Sequence, residues 1–408
     1  MIAMPNWALY LLLLTAIAIG FTLGKFYRRP LKNRSDSVID SRYFKGLNHL
    51  LNEQPDSAVE TFIETLEVNV DTLKTHLALG NFLRRKGEVD RAIRIHQNLL
   101  ARPNLTIEQS HQAQYELAAD FLKAGLFDRA ERLLKELVEN DGHYRINGLI
   151  HLLEVYRDEH EWQYGLDVIS KLSGSRFSKQ YEKWAPIRAH FCCELAEASI
   201  VSSGADNSKY LFARKWLKKA LSYDKQSVRA SLLLGKLEID AGYYSQGINQ
   251  LQKISHQNPN YFSEALPSLL SGYKHLNDMR GYREFLWALN GRYPSNSSLL
   301  AIADLINEKE GEHAAAEFMA KEIKKNPSII GLDRLLHFYI ACTEGKVCDY
   351  FQLIKTVISR VVEQKERYIC RYCGFKGKEL HWLCPSCKQW RIERFKNDPD
   401  QGHKLQQL

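Results

Sequence analysis

Residues 76–100, HLALGNFLRRKGEVDRAIRIHQNLL, decide the fold of this chain. Two segments with apolar residues at three- and four-residue spacing flank a break at Lys86-Gly87-Glu88, the signature of a helix, a tight turn and a second helix. Gly80 and Ala92 stand twelve residues apart, small enough for the two helices to approach closely. The preceding stretch at 43–66, YFKGLNHLLNEQPDSAVETFIETL, repeats the pattern with Gly46 and Ala58.

Working outward, small residues recur at Ala58, Ala92, Ala130, Gly165, Ala213, Gly247, Gly281 and Ala315, with separations of 34, 38, 35, 48, 34, 34 and 34. A period of about 34 residues is the tetratricopeptide length, and each such unit is a helix hairpin that must stack on its neighbours to bury its apolar side. Gly46, Gly80, Ala118, Gly235 and Ala303 precede these positions by twelve residues, and Phe62, Leu134, Leu217, Leu251, Phe285 and Met319 follow them by four. Further turns fall at Gln54-Pro55-Asp56, Ala124-Gly125-Leu126 and Ala241-Gly242-Tyr243, and Pro259, Pro294 and Pro327 punctuate unit ends. No stretch alternates with period two. The sequence therefore predicts a mainly α chain, with about eight units over 38–328 and a capping pair at 331–343 and 349–364. The 48-residue step contains SSGADNSK at 202–209, a candidate hinge between two sub-solenoids. Stacked units present a concave face suited to protein segments, and Lys74, Leu77, Asn81 and Arg84 share one helical face directed there. Lys74, Asn81 and Arg84 are candidate groove contacts; the alternative is a solvated helix face.

The N-terminal run WALYLLLLTAIAIGFTL, residues 7–23, carries no charge and approaches the length of a membrane span. Nothing basic precedes it, unlike a secretory signal, whereas Lys25, Arg28, Arg29, Lys32 and Arg34 follow it without an intervening acid. The positive-inside rule then places the N-terminus outside and residues 25–408 in the cytoplasm, with the basic segment available to anionic lipid headgroups. With 408 residues, 45% of them hydrophobic, and a net charge of +8, the chain is long enough for a large core and too mildly basic to argue for nucleic acid by itself.

Near the other end stand Cys370-Arg371-Tyr372-Cys373 and Cys384-Pro385-Ser386-Cys387. Two C-x-x-C knuckles ten residues apart form a tetrahedral four-thiolate site, and Gly374 relieves the turn behind the first. In a reducing compartment these four are expected to be metal ligands, and Cys192, Cys193, Cys342 and Cys348 buried free thiols. Tyr368, Tyr372, Phe375, Trp382 and Trp390 supply a small core once a metal staples it. His381, between the knuckles, reads as a surface or supporting residue because four cysteines already complete the shell. Phosphate-loop, nucleophile-elbow and dinucleotide motifs are missing, and His160-Glu161 opens like a zinc-protease helix but has Tyr164 where the second His belongs.

The knuckles CRYCGF and WLCPSC resemble those of rubredoxin. The order of anchor, repeats and terminal metal site, with the two quoted repeat segments, resembles the lipopolysaccharide assembly protein B family along essentially the whole chain. The resemblance implies a tetratricopeptide α-solenoid behind one transmembrane helix, ending in a rubredoxin-like or zinc-ribbon domain. The residue patterns set the boundaries at 1–24 for the anchor, 25–37 for a basic linker, 38–364 for the solenoid, 365–396 for the metal domain and 397–408 for a tail. The resemblance further implies a non-enzymatic adaptor of the bacterial inner membrane that restrains lipopolysaccharide synthesis by promoting degradation of the deacetylase LpxC by the membrane protease FtsH. Other inner-membrane lipopolysaccharide-assembly proteins and membrane lipids are implied partners, a homo-oligomer is left open, and no nucleic acid is expected. By the same resemblance Cys370, Cys373, Cys384 and Cys387 hold one ion, iron or zinc. Two alternatives stand beside it: an electron-transfer protein with an iron centre, and a zinc-ribbon nucleic-acid adaptor.

Overall fold

The computed structural model describes residues 14–22, 73–103, 105–140, 142–174, 179–201, 207–364, 366–390 and 394–395. Among these no helix is long and apolar enough to cross a membrane. Residues 14–22 are helical and expose Leu14, Ile17, Ile19 and Phe21. The rest of the expected span, the basic residues Lys25, Arg28, Arg29, Lys32 and Arg34, the first repeat with Gly46, Ala58 and Phe62, the loop at 202–206 and the tail lie outside the described residues.

The chain divides into two compact units, Met1–Gly148 and Leu149–Leu408. In the first, α1 (Leu73–Lys86), α2 (Val89–Leu100), α3 (Ile107–Lys123) and α4 (Phe127–Glu139) form antiparallel hairpins, and α5 (Arg145–Asp158) begins there. The second continues with α6 (Trp162–Ser173), α7 (Lys179–Val201), α8 (Asn207–Tyr223), α9 (Val228–Asp240), α10 (Tyr244–Gln252), α11 (Ile254–Gln257), a 3-10 turn at Pro259–Glu264 and α12 (Leu266–His275). Then follow α13 (Met279–Arg292), α14 (Asn296–Glu310), α15 (Glu312–Lys325), α16 (Ile329–Cys342) and α17 (Lys346–Gln364). Among the described residues three two-residue strands come last, β1 (Tyr368–Ile369), β2 (Lys376–Gly377) and β3 (Arg394–Phe395), antiparallel in the order β2-β1-β3. This is a tetratricopeptide-like helical fold.

Five of the described hairpins turn by one device. The first helix ends with a left-handed residue whose successor donates its N–H five residues back, as from Glu88 to Leu83, Leu126 to Phe121 and Tyr243 to Glu238. Glycine holds the left-handed position at Gly87, Gly125 and Gly242, where a side chain is disfavoured, but His160 and Asn277 hold it in two other turns. His160-Glu161 is thus turn chemistry: its φ of 61° and the bond from the Glu161 N–H to the Tyr156 carbonyl repeat the hairpin pattern. Thr106, Ser227, Ser295 and Ser328 cap the helices that follow them.

The recurring small residues are where helices touch. Ala92, Ala118, Ala130, Ala213, Ala303 and Ala315 are fully buried. A Cβ on Gly80 would lie 2.4 Å from the His96 ring, on Gly165 2.1 Å from Phe191, and on Gly235 2.4 Å from Leu251. Gly281 has a different reason: its added Cβ would strike the Asp278 carboxylate that caps its own helix. In the first unit Leu73, Leu77, Leu83, Ala92, Ile95, Leu99 and Ala113 form one cluster, each large side chain contributing about 1.5–3 kcal/mol by leaving water. Polar ties join successive hairpins. Arg84 donates to Asp120 at 2.8 Å and to Glu116 at 2.7 Å, and Asp120 meets His96 at 2.5 Å, linking α1 and α2 to α3. In the second unit Glu238 accepts from Arg214 and Tyr210, joining α8 to α9.

Candidate metal centre

Two equivalent knuckles bring the four cysteines together. In the first, the Gly374 N–H donates to the Cys370 carbonyl and the Cys370 N–H to Phe375; in the second, the Lys388 N–H donates to Cys384 and the Cys384 N–H to Gln389. Gly374 turns at φ 77° and Lys388 at φ 54°, so the second knuckle makes the same left-handed turn without glycine, which the sequence did not signal. The β1–β2 pairing, Tyr368 with Gly377 and Ile369 with Lys376, sets the first knuckle at the tip of a hairpin.

All four Sγ atoms lie within 4.8 Å of one another, with Cys370 to Cys387 and Cys373 to Cys384 each 3.7 Å. Sulfurs on a tetrahedral ion with bonds of about 2.3 Å stand about 3.8 Å apart, so the donor set fits one such ion. Cys370 and Cys384 are buried, Cys387 is half-buried and Cys373 is exposed. The Phe375 N–H draws the Cys373 thiol down to about 7, whereas loss of solvation pushes Cys387 up to about 12. His381 packs its ring edge-on to Phe375, 6.4 Å between centroids, beside the centre.

The module is seated on helices of its own unit. Trp382 stacks on Tyr261 at 5.7 Å, and with Leu380 it packs against the core that includes Phe262, Leu269 and Leu286. The Tyr368 hydroxyl donates to Glu264 at 2.7 Å, burial holding its proton on well above the usual phenol range. Trp390, three residues beyond Cys387, stacks on His190 at 4.8 Å and meets Phe191 and Trp162. Arg229, buried and paired with Glu194 and Glu197, stands 5.9 Å from the Trp390 ring. Arg157 donates to the Lys388 carbonyl at 3.0 Å. These partners, drawn from α5, α6, α7, α9 and the 3-10 turn, were not found from sequence; a buried arginine beside two acids is visible only after folding.

The other site residues fall elsewhere. Lys74 is exposed, and Asn81 is half-buried with its Oδ1 unbonded. Arg84 is engaged with Glu116 and Asp120, so its guanidinium ties helices together. Cys192 and Cys193 are buried as expected, burial pushing Cys192 up to about 12 and Cys193 higher. Cys342 and Cys348 correct the expectation of four buried thiols: Cys342 is exposed, because it closes α16 where the chain leaves the core, and Cys348 is half-buried in the first turn of α17.

Residues 75–106 match the tetratricopeptide repeat family. Over 94% of its length the chain is 34% identical to lipopolysaccharide assembly protein B of Escherichia coli (strain K12), spanning 96% of that protein. It is equally 34% identical to the protein of the same name from Haemophilus influenzae, over 97% of this chain and 99% of that one. A solved tetratricopeptide repeat protein from Parabacteroides merdae aligns with 66% of this chain and 98% of its own at 14% identity and a TM-score of 0.34.

Proposed function

The chain belongs to the lipopolysaccharide assembly protein B family, and from that premise we propose that it is a non-enzymatic adaptor of the inner membrane that regulates lipopolysaccharide biosynthesis. Its action is to promote proteolysis of the lipid A deacetylase LpxC by the membrane protease FtsH. Family resemblance over nearly the full length supports the pathway, and the repeat fold supports a role in protein contacts. The observation that carries the adaptor reading is the seating of the cysteine module on α6, α7 and α9 through Trp390, which joins the module to the helices of its own unit. A span over 7–23 with its N-terminus periplasmic would hold the helical units at the cytoplasmic face, raising their effective concentration near a membrane protease.

Cys370, Cys373, Cys384 and Cys387 hold the metal, iron or zinc, which when bound neutralises thiolate charge and staples a module too small to fold on its core alone. Tyr368, Trp382 and Trp390 then keep the stapled module against the helices. Lys74 and Asn81 remain candidate contacts for a client segment.

The test is the half-life of LpxC in cells depleted of their own family member and expressing this chain. A half-life restored to the wild-type range, and lost again when FtsH is inactivated, supports the reading; an unchanged half-life with the chain present in the membrane sinks it. The exposure of Cys373 favours electron transfer as a second reading. A colourless, stoichiometrically zinc-loaded protein removes that reading, and a red centre reversibly reduced by one electron supports it.

A further inference from the structure

Repeat stacks end on a polar outer face, since the last helix has no neighbour to cover an apolar one. Here α17 departs from that rule. Phe351 stacks on Tyr339, Ser359 donates to Asp333 and Lys355 meets His337, so one side of α17 lies against α16. The opposite side carries Val347, Tyr350, Leu353, Ile354, Val357 and Val361, each between 45% and 65% exposed. The spacing of three and four residues, at about 100° per residue, gathers them into one stripe along the whole helix.

The charges beside this stripe say what fits it. Lys346, Asp349, Arg360 and Glu363 follow it on one flank, and Lys355, the other charged residue of α17, is turned back onto His337. Turned end over end close to Ile354, the stripe meets itself to within one residue: Val347 falls opposite Val361, Tyr350 beside Val357 and Leu353 beside Ile354. The same rotation brings Lys346 within one residue of Glu363 and Asp349 within one residue of Arg360, acid against base both times. Antiparallel helices oppose like flanks, so a single-flank arrangement of opposite signs is the one a twofold pair requires. A parallel pair opposes unlike flanks and would leave these charges facing the partner's other flank, where none of them has its counterpart.

We infer that α17 is a self-complementary docking surface for a second copy of this chain, paired antiparallel about a twofold axis close to Ile354. The inference stands apart from the adaptor reading, because it rests on the geometry of one helix.

The test is sedimentation of the purified full chain in detergent over a range of concentrations, with circular dichroism to confirm folding. The parent sediments as two chains. Ile354→Glu places two carboxylates close to the axis and weakens the pair by at least about tenfold, with helicity unchanged. Asp349→Arg and Arg360→Asp each weaken it alone, because each sets like charges together. Mixing these two variants restores the pair, since both contacts across the axis become attractive again. A parent that stays single at every concentration, as it would were this face reserved for a different protein or for lipid, overturns the inference. So does a pair indifferent to Ile354→Glu, or one that mixing the charge variants fails to restore.

Discussion

Trp390 lies flat on His190, their ring centroids 4.8 Å apart and their planes within 18°. One residue belongs to the cysteine module and the other to the long helix α7, two hundred positions earlier in the chain. Replacing Trp390 by Ala removes this stack, the edges of Trp162 and Phe191, and the ring beside Arg229. The expected loss is about 1–3 kcal/mol. Limited proteolysis should then release the module sooner, while helical content by circular dichroism stays at the parent value.

The same contact makes stability depend on pH. Burial, and after it the Arg229 guanidinium, pushes the His190 imidazole from its ordinary 6.5 down to about 3. Between those two values the unfolded chain takes up a proton that the folded one refuses. This component of stability is therefore complete above pH 6.5 and is lost as pH falls towards 3. The decrement between pH 7 and pH 5 is about 2 kcal/mol. Urea midpoints measured at both values should show that drop in the parent and a visibly shallower one in His190→Phe.

Glycines of the helices divide by what surrounds them. A Cβ on Gly165 would lie 2.1 Å from Phe191, whereas one on Gly291 meets nothing within 4 Å. Gly165→Ala should destabilise by about 1–3 kcal/mol through overpacking. Gly291→Ala should be neutral or stabilising by up to about 1 kcal/mol, since alanine loses less freedom in a helix. Equal effects in chemical denaturation would refute this division.

Arg84 and Arg280 form ion pairs of very different worth. Arg84 reaches Asp120, whose side chain is fully buried, while Arg280 pairs with Glu284 in solvent. Arg84→Ala leaves a buried carboxylate with His96 as its remaining partner and should cost about 1–3 kcal/mol. Arg280→Ala should change stability by no more than about 0.5 kcal/mol. Thermal unfolding of the two variants side by side checks the contrast.

The twelve-residue and 34-residue spacings, the turn glycines and the two knuckles are determined by sequence alone, because each expresses contacts within a hairpin or between adjacent ones. Local backbone geometry and apolar periodicity suffice for them. The tertiary structure decided the rest. It placed Trp390 on His190, turned Arg84 from a groove candidate into a tie between helices, let Lys388 take a turn expected of glycine, and left the apolar side of α17 uncovered. Those outcomes depend on residues far apart in the chain, where no period operates and only packing determines which side chains meet.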